Sequence, residues 1–406
     1  MRKLALQLSL AALAALPTFA QKPEKPPKRP KLAAQADTND ARSYIDFGFK
    51  SFDEDPEAAA KAFYWAARID PDNAEAYYGR RSALIVDSKR VLATYIDGSS
   101  RDRANLKDLR VLDSLQLRAL LLNPFLYRRL ESRMFTEYIR QLNSDRPGYE
   151  PSPAELQYAV NTYLQNADVS TRAWVSYSDG AFDDALAQYA SAMKGQRETA
   201  SYHLERARIF GMRAETDSAI AEFHNALDEL HKRDAKSIVF VYDSKAAIEH
   251  SIGMLLEQHD RVAEAREAYG RALQEDVSFY PAHLRLGLLA LAAKDTTTAV
   301  SELDLATQIA PNEPYVRYVS GYTLAALGHR PEALTQITKA IELDPYYPLP
   351  YITLAQLQEQ NGDKAAARAS YHAYLKHAGQ QDPQRADVEA KLAALPPQTE
   401  GAGQRR

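Results

Sequence analysis

The side chains that could do acid–base or metal chemistry in this chain are few and scattered. Its nine histidines stand singly, and none lies in an HExxH pattern or near partners at metal-ligand spacing. The acidic runs 53–55 and 70–72 lack the twelve-residue loop of a calcium site, so we interpret them as turn and helix-cap residues. Phosphate-binding GxxxxGK[ST] loops and GxSxG nucleophile elbows are also missing from the sequence. The sequence predicts a non-enzymatic protein with no catalytic residues, metal or cofactor.

The composition favours helix and excludes several partners. In 406 residues there are only 16 glycines, and 45% of the residues are hydrophobic, as expected for a folded, helix-rich chain. The formal net charge of -4 gives no overall attraction to nucleic acid. With no cysteine, the chain has no disulfide and no thiol nucleophile.

Residues 1–20 have the pattern of a secretory signal peptide. Arg2 and Lys3 precede a short apolar stretch, and the small residues Thr18 and Ala20 stand where a signal peptidase cleaves. We expect cleavage after Ala20 and a periplasmic or secreted protein. The alternative is an uncleaved N-terminal anchor, although the apolar stretch is shorter than the roughly 20 residues of a spanning helix.

Residues 21–39 are predicted to form a disordered tether. Four prolines and five basic residues occur within residues 21–31, and proline together with like charges favours an extended chain. The tether is either a solvated linker or a basic patch for an anionic lipid or envelope polymer.

A repeat of 34 residues runs along the C-terminal half. Small residues recur at this interval in three phases, namely Gly253, Gly287, Gly321 and Ala355; Ala265, Ala299, Ala333 and Ala367; and Ala272, Ala306 and Ala340. Pro71, Pro311 and Pro345 each close a unit, because proline cannot continue a helix. A fixed period of this length is typical of stacked helix pairs.

With these small residues, aromatics such as Tyr189 and Phe223, and the closing prolines, the chain resembles the tetratricopeptide repeat (TPR) family, as an exported bacterial member. The resemblance implies an all-α fold, a right-handed superhelical solenoid of antiparallel helix pairs, with a helical insertion. The predicted divisions are the signal peptide 1–20, the tether 21–39, TPR-like helices 40–86, a divergent helical insertion 87–165, a TPR-like pair 166–233, a helix extension 234–245, four TPR units 246–381, and a final helix with a disordered tail 382–406.

The insertion is the part that the repeat does not explain. We predict a long amphipathic helix capped by Ser100, a break at Asn123-Pro124, a second helix from Pro124, and a third opened by a capping box at Ser152–Glu155. Arg129, Arg133 and Arg140 would form a solvated basic face on the second helix.

In the TPR family the first helices line a concave groove that binds peptide segments. The resemblance places these residues in the groove: Trp174, Tyr177, Arg208, His250, Met254, Leu284, Arg285, Leu288, Tyr315, Tyr318, Tyr322, Ile352 and Gln356. Tyr315, Tyr318 and Tyr322 share one helix face, and they either pack on the next repeat or form an exposed aromatic platform. Arg208 and Arg285 either bind an acidic partner group or pair with neighbours such as Glu205.

We therefore predict a protein–protein interaction scaffold or adaptor of the bacterial cell envelope that binds a partner polypeptide in this groove. We expect no nucleic-acid partner and no transmembrane segment after signal cleavage. The alternative is a carbohydrate- or peptidoglycan-binding accessory protein, because aromatic stripes and a basic tether also suit sugars and anionic polymers.

Overall fold

The computed structural model describes residues 26–96, 106–144, 149–232 and 244–395, and all regular structure within these ranges is α-helical. The predicted signal peptide, the Ser100 cap, residues 234–243 of the predicted helix extension and residues 396–406 lie outside them. The helices are α1 (Ala41–Ser51), α2 (Pro56–Ile69), α3 (Ala74–Asp87), α4 (Lys89–Ile96), α5 (Leu106–Leu122), α6 (Glu131–Asn143), α7 (Pro153–Asn166), α8 (Val169–Ser178), α9 (Phe182–Ala192), α10 (Ala200–Met212), α11 (Thr216–Lys232), α12 (Lys245–Gln258), α13 (Val262–Glu275), α14 (Tyr280–Ala292), α15 (Thr296–Ile309), α16 (Pro314–Ala326), α17 (Arg330–Leu343), α18 (Leu349–Gln360), α19 (Lys364–His377) and α20 (Arg385–Ala394).

Consecutive helices pack as pairs, which confirms the predicted all-α solenoid. The pairs are α1/α2, α8/α9, α10/α11, α12/α13, α14/α15, α16/α17 and α18/α19, and the second helix of one repeat packs on the first helix of the next from α9 to α18. None of the helices in the described ranges is long and apolar enough to cross a membrane.

The 34-residue glycine repeat marks where the two helices of a pair approach most closely. A Cβ atom added at Gly253 would lie 2.4 Å from Cε1 of Tyr269, and one at Gly321 would lie 2.7 Å from Cγ1 of Ile337. Any larger side chain would force the pair apart. The small residues therefore recur because the first and second helices of each pair pack closely at these positions.

In the six pairs from α8 to α19, the turn inside the pair adopts a left-handed conformation at one position. Glycine occupies this position in three of the six pairs, where it carries no steric cost. The turn residues with positive φ in these pairs are Gly180, Ala214, Asp260, Lys294, Gly328 and Gly362.

The insertion is helical, with two differences from the prediction. The predicted capping box is present, with Ser152 and Glu155 bonded reciprocally at the start of α7. The second helix begins at Glu131 and not at Pro124, because residues 123–130 form turns. The predicted solvated basic face is also different, since Arg129 bonds Glu75 at 3.1 Å and Arg133 bonds Asp53 at 2.6 Å.

The two ends of the repeat array are in contact. Arg68 of α2 pairs with Asp344, which follows α17, at 3.0 Å, and the Trp65 and Tyr346 rings meet edge to face at 4.9 Å. The first repeat therefore packs against the last ones, and the array is closed on itself.

Residues 26–39 lie across this junction, whereas the sequence predicts a disordered tether. Trp65 Nε1 donates to the Pro27 carbonyl at 3.0 Å, and the Arg29 guanidinium lies 4.4 Å from the Trp65 ring centroid. Farther along, Asn39 Nδ2 donates to the Lys376 carbonyl at 2.8 Å. An extended proline-containing segment leaves backbone carbonyls free, and the junction supplies donors and aromatic faces for it.

Candidate functional site

The first helices of the repeats, from α8 to α18, form the inner face on which the sequence places the groove. Much of that face is covered by the chain's own insertion. Of the thirteen predicted groove residues, Tyr177, Arg208, His250, Leu284 and Ile352 are buried and Tyr322 is exposed, while the other seven are half-buried.

The turn segment 123–130 covers the inner face at α8 and α10. Tyr127 Oη donates to the Ser178 carbonyl at 2.6 Å, and the Arg128 N–H donates to Tyr177 Oη at 3.2 Å. Phe125 lies against Gly211, where a Cβ would meet its Cδ1 at 2.2 Å. Because Gly211 has no side chain, the Phe125 ring can pack directly against the backbone of α10.

A buried ionic cluster fastens the start of α6 to the same helices. Arg128 pairs with Glu205 and, at 3.5 Å, with Glu131, while Arg208 bonds Glu205 at 2.8 Å. Burial alone would raise the pKa of Glu205, but Arg128 and Arg208 lower it below its usual value. Burial raises the pKa of Glu131, against the opposing effect of Arg128. Arg208 is therefore committed to an internal pair, the second of its two predicted alternatives.

The C-terminal end of α5 covers the middle of the inner face. His250 is 2% exposed and has the backbone of Leu121 as a hydrogen-bond partner, while burial and then Arg285 lower its pKa to about 3. Arg118 of α5 pairs with Glu313, the residue before α16, and lies 4.7 Å from the Tyr77 ring centroid. His250 is thus a neutral packing residue here, and it is not available to a partner.

Arg285 is also paired within the chain. Its Nη2 lies 2.9 Å from Oε1 of Glu257, whose other oxygen accepts from Tyr269 Oη at 2.8 Å. As with Arg208, the observed geometry matches the neighbour-paired alternative.

The part of the predicted groove that stays open lies on α16 and α18. We call it the tyrosine patch and define it as Tyr315, Tyr318, Tyr322 and Gln356. Tyr318 contacts the Tyr347 ring edge to face at 5.3 Å, and its centroid lies 6.0 Å from that of Tyr322. Tyr322 is 51% exposed. The three tyrosines therefore divide between the two predicted alternatives. Tyr315 and Tyr318 are half-buried, as packing on a neighbouring repeat requires, and Tyr322 is exposed, as an aromatic platform requires.

One of the two carboxyl groups in the turn before α3, that of Asp72, acts on the tyrosine patch. Burial is the main reason that the pKa values of Tyr315 and Tyr318 are raised, that of Tyr318 to about 12. The negative charge of Asp72 raises both further. Asp70 is half-buried, and burial, followed by its hydrogen bond with Asp72, raises its pKa to about 7. The sequence predicts only turn and cap roles for Asp70 and Asp72. The proximity of Asp72 to the tyrosine patch does not follow from the sequence, because it depends on closure of the array.

Among the residues that the structure describes, no three His, Asp or Glu side chains converge as metal ligands would. The polar residues of the inner face are tied to one another in the pairs given above. The arrangement offers aromatic surface and acceptor groups at the tyrosine patch, which suits binding.

Comparisons with known proteins agree with the repeat architecture. A family model described as tetratricopeptide repeat matches residues 251–314, and no curated protein matches the sequence significantly. Among solved structures, YrrB, described as a TPR protein with an unusual peptide-binding site, is 20% identical over 50% of this chain and 98% of its own, with a TM-score of 0.40. The C-terminal part of a TPR protein from Cytophaga hutchinsonii is 16% identical over 51% of this chain and 78% of its own (TM-score 0.42), and MamA is 16% identical over 46% and 96% (TM-score 0.36).

Proposed function

We propose that this chain, whose residues 251–314 match the tetratricopeptide repeat family, is a non-enzymatic scaffold that binds a partner polypeptide on the tyrosine patch. The observation that supports this is that Tyr322, at 51% exposure, is the one exposed side chain among the thirteen predicted groove residues, seven of which are half-buried. Tyrosine combines a large apolar ring with a polar end, and it is enriched at binding hot spots.

The chemistry of the patch defines the kind of segment that it binds. Tyr318 and Tyr322 give a ring surface. The charge of the exposed Asp72 acts on Tyr318, and Gln356 is a half-buried residue of α18. A partner segment with an apolar side chain for the rings and a donor for the carboxylate matches this arrangement.

Site-directed photo-cross-linking together with a pull-down tests the proposal. A photoreactive amino acid at position 322 should capture a discrete protein in the native cell. The unchanged protein should recover the same partner in a pull-down, and Tyr322→Ala should not, without a change in stability. The matched control is position 305, because Leu305 is 38% exposed but lies on the second helix α15. Capture that is equal at both positions, or absent at 322, would reject the patch as the binding site.

We also propose that the protein acts in the cell envelope, on the basis of the sequence pattern of residues 1–20. The mature protein should fractionate with the periplasm or medium and begin at Gln21. Recovery from the cytosol with residues 1–20 retained would contradict this location.

A second candidate function is contact with an anionic envelope polymer. A cavity of about 630 Å³ at the junction is lined by Lys28, Arg29 and Lys376 together with the Trp65 and Tyr346 rings. Convergent cations beside aromatic rings suit an anionic, ring-containing polymer. The protein should then co-sediment with purified peptidoglycan, and the double variant Lys28→Glu and Lys376→Glu should not. No sedimentation of the unchanged protein would eliminate this candidate.

A further inference from the structure

A second surface lies on the insertion, away from the inner face. The helices α6, α7 and α8 enclose an open groove of about 990 Å³. We call it the α7 groove, and its lining residues on which the argument depends are Leu142, Asn143, Glu155, Tyr158, Tyr163 and Asp168.

Helix α7 uses only one of its faces in the fold. Leu156 and Val160 are its buried residues, whereas Tyr158 is 74% exposed and Tyr163 is 40% exposed. Leu142, across the groove on α6, is 49% exposed. Large apolar side chains grouped in a concave surface of this size indicate a binding surface.

The charged side chains that line the α7 groove are all acidic. Glu155 and Asp168 line it, and no lysine or arginine does. Cap hydrogen bonds from Ser152 and from Ser170 lower the pKa values of Glu155 and Asp168, so both are ionised at neutral pH.

Two amide groups at the groove each use one donor within their own helix. Asn143 Nδ2 donates to the Ile139 carbonyl at 2.7 Å, and Asn166 Nδ2 donates to the Thr162 carbonyl at 2.8 Å. Each amide keeps its second N–H and its oxygen, so these groups can donate or accept and do not select the charge of a ligand. The carboxylates of Glu155 and Asp168 do, because positive charge on a ligand complements them.

We propose that the α7 groove binds a cationic amphipathic segment of a partner polypeptide, with its apolar face on Tyr158, Tyr163 and Leu142. The positions of the two carboxylates determine how far apart the positive charges of the bound segment should be. Glu155 is in the first turn of α7 and Asp168 follows its end, and a helix of 14 residues spans about 21 Å. A helical ligand of similar length with lysine or arginine at both ends and apolar residues between them would reach both carboxylates.

The test uses two synthetic helical peptides about as long as α7 (roughly 21 Å), identical in their leucine and alanine residues. One carries lysine at both ends and the other carries glutamate there. Fluorescence anisotropy with the full chain should show saturable binding of the lysine peptide that weakens with salt, and at least tenfold weaker binding of the glutamate peptide.

Variants locate the binding within the groove. Tyr158→Ala should weaken the lysine peptide at least fivefold. Glu155→Gln and Asp168→Asn remove charge while keeping side chains that can still cap a helix, so each should reduce affinity and salt dependence with an unchanged circular dichroism spectrum. The control Leu305→Ala changes a 38% exposed residue of α15 that lies in neither proposed binding surface, and it should leave peptide binding unchanged.

Several outcomes would overturn the proposal. These are equal binding of both peptides, no effect of the two charge-removing variants, or no binding of the lysine peptide at millimolar concentration. A concentration-dependent dimer that Tyr158→Ala abolishes would assign the groove to a second copy of the chain. Binding of peptidoglycan fragments in place of the peptide would assign it to a carbohydrate.

Discussion

Arg68 and Asp344 form an ion pair between the first repeat and the turn before the last one, with Nη2 and Oδ1 3.0 Å apart. Asp344 is only 4% exposed, and it also accepts from the Tyr346 N–H at 3.0 Å. Burial raises the pKa of Asp344 to about 6, even though Arg68 opposes the shift. Closure of the array therefore places a carboxylate in a low-dielectric position, where Arg68 is its ion-pair partner and the charge of Arg118 also acts on it.

Removing the Arg68 guanidinium should destabilise the protein most at alkaline pH. Arg68→Ala leaves a buried carboxylate unpaired, so we expect the free energy of unfolding at pH 8 to fall by about 3 kcal/mol. At pH 5 Asp344 is largely protonated, and the loss should be smaller. Urea denaturation at both pH values measures this difference. The control Arg42→Ala breaks an exposed pair with Asp46 and should change stability by no more than about 0.5 kcal/mol.

Substitutions at Phe125 and Gly211 should have strongly non-additive effects on stability, because the two residues are in contact. Phe125→Ala removes a ring that lies between Gly211 and Phe223, at a cost of about 3–5 kcal/mol. Gly211→Ala should be destabilising alone, because the new Cβ meets Phe125, and much less so when residue 125 is alanine. A double-mutant cycle by chemical denaturation should give a coupling energy of about 1–3 kcal/mol. Additive effects would mean that segment 123–130 does not occupy the inner face.

Alanine substitution at two glycines of one helix pair should change the stability of the protein in opposite directions. Gly253→Ala places Cβ 2.4 Å from Tyr269, and we expect a loss of about 1–3 kcal/mol. Gly270 lies inside α13 with nothing within 4 Å of its added Cβ, so Gly270→Ala should stabilise the protein by about 0.5–1 kcal/mol. Thermal unfolding of both variants tests this, and a stable Gly253→Ala protein would refute the packing role of the repeat.

Asp70 should make stability fall as the pH rises from about 4 to 7. Its pKa is raised from 3.8 to about 7, so within this window the folded state holds a proton that the unfolded state has released. Asp70→Asn cannot ionise, and its stability relative to the unchanged protein should increase by at least ~1 kcal/mol between pH 4 and pH 8. Denaturation midpoints across this range provide the measurement. A difference that is flat with pH would show that Asp70 ionises normally.

The repeats could be predicted because their packing is local. Gly253 and Tyr269 lie in consecutive helices, and the small-residue positions recur in sequence at the interval at which they recur in space. The capping box at Ser152 and Glu155 is also local, and it was predicted correctly. Such features depend on residues that are close in the chain.

The occupation of the inner face could not be predicted in the same way. The partners of Phe125 and Arg128 are Gly211 and Glu205, which are distant in sequence and follow no period. The signal that was present is the failure of the 34-residue repeat between residues 87 and 165, combined with apolar residues such as Phe125 and Leu126 in that segment. That signal indicates an unusual segment, but it does not show what the segment covers.

Contact between Arg68 and Asp344 also constrains how this protein can change in length. An open solenoid can gain or lose a unit at either end, since each repeat needs only its neighbours. Here the ends must meet at a fixed register, and deleting one unit of 34 residues would carry Asp344 and Tyr346 away from Arg68 and Trp65. The number of repeats is therefore set by geometry, and an insertion or deletion of one unit is not neutral for this chain.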